Sequence, residues 1–292
     1  QKPKKEVTDE QYNEFYREKF YDYEPPVKVI PVSAEGAVTY KALLFIPEKA
    51  PYDFYTKDFE KGLQLYSSGV LIMDKCADLL PDYFRFVRGV VDSSDLSLNL
   101  SREMLQHDRR LNVIATNLEK KIKGELKKLL ESEREKYEKF WSSFGTQLKY
   151  GVVSDFGQHK DQLRDLLLFH SSTSDKWTTL AEYTERMGEE QKYIYYATGQ
   201  SLGKIEALPQ MEKLRDIGYE VLYLTENVDE FVMQILVNEA GKEFRSINGN
   251  EDLGINNEEE KQEIEKERKN NQELTDFIKN TLGDKIKEVR VS

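Results

Sequence analysis

Tyr193-Ile194-Tyr195-Tyr196-Ala197 opens the stretch whose reading decides the fold. An unbroken run of aromatic and apolar residues is the pattern of a strand covered on both faces; a strand with one wet face would alternate. Residues 201–216 then carry helical spacing, interrupted by Pro209, and Gly218 suits a helix C-cap. Residues 219–224 repeat the buried-strand pattern, residues 229–237 return to helix, and residues 243–247 form a short last strand. Strand, helix, strand, helix, strand predicts right-handed crossovers and a mostly parallel sheet.

Upstream of that unit lies a long helical region. Leu111, Ile114, Leu118, Ile122, Leu126 and Leu129 recur every three or four positions, which gives one apolar stripe. The lysines between them fall off the stripe and are offset by glutamates, so they read as a solvated face. Tyr137, Phe140, Trp141 and Phe144 continue as core anchors, with Gly145 or Gly151 as the expected end. Residues 160–169 and 179–187 are further helix candidates.

At the other end, Thr8 caps a predicted helix over residues 8–18, with Gln11 in the reciprocal capping-box position. Pro25 and Pro26 stop it. Residues 37–46, 70–73 and 84–91 are dense in strand formers. Beyond residue 247 come a polar linker, a charged stretch at 258–271, a short apolar stripe through Leu274, Phe277, Ile278 and Leu282, and a strand pattern at 286–291.

These elements predict an α/β protein, α+β in part. A larger α/β sandwich over residues 1–110 carries a loop of interest. A helical connector follows over 111–150, and then a smaller three-layer α/β unit over 151–247. Residues 248–292 form a linker and the partial start of another domain. The length of 292 residues fits two or three domains. Gln1 at the start and an unpartnered strand at the end lead us to expect that the parent protein extends both ways.

Composition narrows the function. A net charge of −11 argues against a polyanion such as nucleic acid as the main ligand. The single cysteine, Cys76, excludes an internal disulfide and a cysteine-based zinc site, and it suits a reducing compartment. No apolar run approaches the roughly 20 residues that cross a bilayer. There is no G-x-x-x-x-G-K-S/T loop, no G-x-G-x-x-G, no G-x-S-x-G and no H-E-x-x-H. His107, His159 and His170 are too scattered for a metal site. Thr198-Gly199-Gln200-Ser201 reads as a tight turn with Ser201 as N-cap. Asp229 and Glu230 read as acids at a helix N-terminus.

One segment stands apart: Asp95-Leu96-Ser97-Leu98-Asn99-Leu100-Ser101-Arg102-Glu103-Met104-Leu105-Gln106. Alternating Leu96, Leu98 and Leu100 pin a loop to a core, and Asn99 and Ser101 satisfy loop backbone. Arg102 offers a permanent charge and a rigid fork of donors suited to phosphate. Gln106 is placed to orient a water or donate to an oxygen. The competing reading for Arg102 is a salt bridge to Glu103 or Asp95.

Several segments resemble the middle domain of the heat-shock protein 90 family, most of all its bacterial members. They are Val7-Thr8-Asp9-Glu10-Gln11-Tyr12, Leu44-Phe45-Ile46-Pro47 with Ala50-Pro51, Asp78-Leu79-Leu80-Pro81, residues 87–106, and Leu148-Lys149-Tyr150-Gly151-Val152. Gln191-Lys192-Tyr193-Ile194-Tyr195-Tyr196, Leu222-Tyr223-Leu224-Thr225 and Val228-Asp229-Glu230 complete the set. They occur in order along nearly the whole chain.

The resemblance implies an ATP-dependent molecular chaperone of the cytoplasm that remodels unfolded or partly folded client proteins. It implies that ATP with Mg is held by an N-terminal ATPase domain outside this chain. Arg102 would reach the γ-phosphate from across the domain boundary, and Gln106 would support the same site. Leu71 would dock that domain, at a position where many relatives carry an aromatic residue. Ser97 stands where proline is expected. Residues after about 252 would open a C-terminal dimerisation domain, so the full protein would be a homodimer and this segment alone a monomer. Co-chaperones are further expected partners; nucleic acid and membrane are not. Tyr21, Tyr23 and Trp141 are candidate exposed aromatics for client contact. Two rival readings are a passive protein-interaction adaptor and a stand-alone phosphohydrolase using Arg102 with Asp92 and Asp95 as metal ligands.

Overall fold

The computed structural model describes residues 7–97, 108–249 and 253–255. It is a mixed α/β structure with two sheets. Helix α1 (Asp9–Phe20) opens with the predicted capping box: Thr8 accepts from the Gln11 amide, and the Gln11 side chain accepts from the Thr8 amide. Its aromatic side lies on the first sheet, where the Tyr16 and Phe45 ring centroids are 5.0 Å apart.

The first sheet holds β1 (Lys28–Ala34), β2 (Tyr40–Ile46), β3 (Leu63–Ser67), β4 (Val70–Cys76) and β5 (Arg88–Asp92), in the order β1-β2-β5-β3-β4. All neighbours are antiparallel except β3 and β5. Strand β1 lies upstream of the predicted strand and carries Pro31. It sits at the sheet edge, where a residue without an N–H is tolerated. The expected strand over 84–91 starts only at Arg88; Tyr83 and Phe84 lie in a 3₁₀ turn (Asp82–Phe84). Phe84 and Phe86 are buried among aromatic rings that include Phe140 and Phe144, so their apolar character reflects the core and not a strand.

The helical region is two helices, α2 (Arg109–Ser132) and α3 (Arg134–Val153). Every residue of the predicted stripe from Leu111 to Leu129 is fully buried. The break falls at Glu133, with φ −136° and ψ 54°. It is not signalled by glycine or proline. It lets the Arg134 guanidinium reach Glu182 and the Trp177 carbonyl. Helix α3 runs through both glycines expected to stop it. At Gly151 a β-carbon would come within 2.5 Å of Tyr83 Cβ, so this glycine serves a close packing contact inside the helix.

Residues 160–169 are not one helix. The short α4 (Lys160–Leu163) gives way to a 3₁₀ turn, and Phe169 already begins a strand. The second sheet contains β6 (Phe169–Ser171), β7 (Ser174–Thr178), β8 (Tyr193–Thr198), β9 (Val221–Leu224), β10 (Asn238–Glu239) and β11 (Lys242–Ser246), in the order β10-β11-β8-β9-β6-β7. Its helices are α5 (Leu180–Arg186), α6 (Leu202–Glu206), α7 (Pro209–Asp216) and α8 (Asp229–Leu236). The parallel character expected for the whole sheet holds for β11, β8 and β9. The pairs β9–β6, β6–β7 and β10–β11 are antiparallel, because hairpins extend the sheet at both edges. One apolar core runs from the first sheet through α2 and α3 to one face of the second. The other face of the second sheet packs its own cluster around Tyr195, Ile205, Met211 and Leu214.

Candidate functional site

Arg102 and Gln106 lie outside the described residues, and the site is built from what holds the two ends of their segment. The chain leaves β5 at Asp92, whose Oδ1 accepts from the Gly69 amide at 3.2 Å. Ser93 is buried; its Oγ donates to the Thr39 carbonyl at 2.7 Å and accepts from the Asp95 amide. Asp95 Oδ2 accepts from the Thr39 amide at 2.6 Å. Leu96 is 3% exposed, and its carbonyl accepts from buried Ser67 Oγ at 2.6 Å. Of the three leucines expected to pin the segment, Leu96 is buried as read, held further by Ser67 of β3, while Leu98 and Leu100 lie outside the described residues.

At the far end Asp108 is the N-cap of α2, its Oδ1 accepting from the Arg110 amide at 2.8 Å. The Arg110 side chain forks onto the same carboxylate, with Nη2 2.7 Å from Oδ2 and Nε 3.1 Å from Oδ1. Its Nη1 donates to the Asp95 carbonyl. This ion pair holds the Asp108 carboxyl below its ordinary range and raises the Arg110 guanidinium.

The β3–β4 hairpin lies beside this base. Its two-residue turn, Ser68 and Gly69, has φ +49° and +81°, as in a type I′ turn. Immediately after it, Val70 and Leu71 are 54% and 49% exposed on an edge strand. Leu71 pairs with Tyr66, one residue from the serine that holds Leu96. The exposed apolar pair and the base of the Arg102 segment thus share one hairpin.

The remaining expected positions separate. Tyr21 and Tyr23 are each 84% exposed. Trp141, expected among the exposed aromatics, is 3% exposed, packed between Tyr137 and Trp177; its position on the α2–α3 core stripe buries it. Asp92 and Asp95 spend carboxylate oxygens on backbone amides, and no group of three or more metal-binding side chains occurs among the described residues. His159 pairs with Asp155, and His170 stacks on Trp177. Ser201 caps α6, as expected. A depression of about 410 Å³ beside α1 is lined by Glu10, Glu14, Asp22 and Glu24 together with Arg17, a predominantly acidic wall that disfavours polyphosphate. No helix among the described residues is long and apolar enough to cross a membrane.

Sequence reading missed a buried charge cluster. Lys149 on α3 is 2% exposed, with Nζ 2.6 Å from Asp229 Oδ1 and 2.9 Å from Glu226 Oε1. Its ammonium lies over the Trp141 and Phe169 rings. Burial raises the Asp229 carboxyl, and the Lys149 charge opposes that only in part. In a sequence this lysine looks like any surface lysine of a helix; only the packing of α8 on α3 reveals it.

The sequence model for the Hsp90 protein family matches residues 1–292. The chain belongs to the Hsp90 family. It is 58% identical over 291 residues to the chaperone protein HtpG of Clostridium botulinum strain 657, and 56% identical over 291 residues to that of Bacillus subtilis strain 168. Each match covers 100% of this chain and 46% of the relative, so the chain spans about half the length of these Hsp90 relatives. The fold matches a solved middle domain of a Plasmodium falciparum heat shock protein with a TM-score of 0.72 and 31% identity. That match covers 85% of this chain and 98% of the other. The α/β architecture is thus that of an Hsp90 middle domain.

Proposed function

We propose that this chain is the middle segment of an ATP-dependent molecular chaperone acting on unfolded or partly folded client proteins in the cytoplasm. In this reading an N-terminal domain holds ATP with Mg. Arg102 meets the γ-phosphate across the boundary, and Gln106 assists. Residues 1–110 are the larger unit, 111–150 the connector and 151–247 the smaller unit, with 248–292 leading into a dimerisation domain. Co-chaperones would join the homodimer, and Tyr21 and Tyr23 remain candidates for client contact.

The observation that carries the reading is the base of the Arg102 segment: both ends are tied into rigid elements, beside the exposed Val70 and Leu71. A cation that stabilises charge on a transferring phosphoryl group works when it is placed before the reaction begins. An apolar pair next to it is where a nucleotide-carrying domain would seat. The full-length protein with Arg102→Ala tests this by ATP turnover and ATP binding. A fall in kcat of at least roughly tenfold, about 1.4 kcal/mol of transition-state stabilisation, with binding nearly intact, is expected. Unchanged turnover in a folded variant would make Arg102 a structural residue and favour a passive adaptor. Robust ATP hydrolysis by the isolated segment would favour a stand-alone phosphohydrolase.

A further inference from the structure

We propose that Asp22 and Arg88 are positioning residues that hold Tyr21 and Tyr23 outward for contact with an unfolded client, an inference that rests on the client-contact reading proposed above. The two tyrosines follow α1 closely, and each is 84% exposed. Tyr21 adopts φ 54° and ψ 34°, the left-handed conformation in which glycine is usual at a helix end. A tyrosine there strains the backbone, and its exposed ring gains little burial to offset the strain. Such strain persists only where the surroundings over-determine the conformation.

The residue between the tyrosines provides that constraint. The Asp22 side chain is 23% exposed and turns inward. Its Oδ2 accepts from the hydroxyl of buried Tyr16 at 2.7 Å and from Arg88 Nη1 at 3.4 Å. Its Oδ1 accepts from the Glu24 amide at 3.2 Å. Arg88 Nη1 also donates to the carbonyl of Phe20, the last residue of α1, at 3.3 Å. Arg88 opens β5, which lies between β2 and β3, so the turn is tied to the middle of the first sheet. With Asp22 drawn in, its two neighbours face solvent from a fixed backbone.

The depression against α1 sets the kind of partner. Tyr23 lines it together with Glu10, Glu14 and Glu24, and Arg17 is the one cation among its lining residues. An aromatic ring beside net negative charge fits an unfolded segment that carries both basic and apolar side chains. Rings already placed when the segment arrives need no ordering of the turn on binding.

The test uses the full-length protein without nucleotide. The probe is fluorescein-labelled ribonuclease A, a basic chain kept unfolded by reduction and carbamidomethylation, and anisotropy gives Kd. Tyr21→Ala combined with Tyr23→Ala should weaken binding by about tenfold, and Asp22→Ala or Arg88→Met by about three- to fivefold. Asp22→Asn keeps the size and one acceptor oxygen without the charge, and should lose less than Asp22→Ala. In the double-tyrosine background Asp22→Ala produces no further loss, because what it positions is gone. A purely structural role would lower the thermal midpoint and leave Kd unchanged.

Wild-type Kd in folded Asp22→Ala and Arg88→Met overturns the inference and leaves the client-contact reading standing. Wild-type Kd in the double-tyrosine variant overturns both. A loss in Asp22→Asn as large as in Asp22→Ala makes Asp22 a direct charge contact and overturns the positioning role, as does a loss that multiplies with that of the tyrosines. Unfolded α-lactalbumin, prepared in the same way, is acidic, and the variants should change its Kd by less than about twofold; equal losses overturn the assigned partner.

Discussion

Replacing Lys149 by methionine removes one partner of a buried ion pair and keeps the side-chain volume. Asp229 is left 2% exposed with a single backbone hydrogen bond, from the Glu226 amide at 2.9 Å. Breaking a buried pair from one side costs about 3–5 kcal/mol, because the surviving charge is uncompensated. For a chain of this size we expect a fall in Tm of roughly 6–10 °C. The pH dependence carries the sharper signature. Asp229 has a folded-state pKa raised by burial, so it stabilises the fold when protonated and loses that contribution as pH rises through the raised value. Removing Lys149 takes away the charge that pulled the carboxyl back down and raises it further. His170, lowered by burial and by Lys149, destabilises the fold on acidification; losing Lys149 weakens that effect. Glu226, one-third exposed, can hydrate. Asp229 and His170 both make the penalty smaller in acid. Urea unfolding of wild type and Lys149→Met should therefore give a larger difference at about pH 7.5 than at about pH 5. The double variant Lys149→Met with Asp229→Asn should return to within about 1–2 kcal/mol of wild type, since neither charge is left buried. A single-variant cost below about 1 kcal/mol, or a penalty that grows on acidification, would refute the reasoning.

Two further changes test the frame. Gly89→Ala places a β-carbon 2.5 Å from the Leu43 carbonyl oxygen and 3.0 Å from Leu44 Cα, main-chain atoms of β2 that cannot swing away. We expect a loss of about 2–3 kcal/mol in the denaturation midpoint analysis, and a neutral result would mean that the sheet yields at its centre. Thr179→Ala removes the capping box of α5, in which Thr179 Oγ1 accepts from the Glu182 amide at 3.0 Å and the Glu182 carboxylate accepts from the Thr179 amide at 2.8 Å. That should cost about 1 kcal/mol by urea unfolding, while Thr179→Ser stays near wild type.

What the sequence revealed follows from how local each signal is. The leucine stripe of α2 and the Thr8 capping box depend on residues three or four positions apart, and both are found as read. The strands read at 193–197 and 219–224 announce themselves by the apolar runs 193–197 and 221–224, because a central strand is covered on both faces; the second starts at Val221, after Glu220. Strand β1 escaped because it is an edge strand: half-buried, interrupted by Pro31, with no alternation to betray it. The break at Glu133 has no local cause; Arg134 gains Glu182 and the Trp177 carbonyl only once the second sheet is in place. Lys149 is the extreme case. Its burial depends on two acids some eighty positions away, and no spacing rule connects them.

The strand order explains why a phosphate-directed arginine would sit just after β5. That strand lies inside the first sheet, between β2 and β3. The chain leaving it is gripped from both sides: Thr39, just before β2, takes Ser93 and Asp95, while Tyr66 and Ser67 of β3 take Ser93 and Leu96. An edge strand would have had a neighbour on one side only. The other end begins a helix of 24 residues whose leucine stripe is buried against the same core. The two ends of the segment are thus each fixed in the fold, and the Arg110 side chain bonds to both, to the Asp95 carbonyl and the Asp108 carboxylate. A flexible arginine would pay its ordering entropy at each turnover; ends fixed in the fold move that cost into folding. The exposed Val70 and Leu71 lie on the hairpin that supplies one of those anchors. Docking a second domain on that hairpin would therefore bear directly on the element that holds the arginine segment.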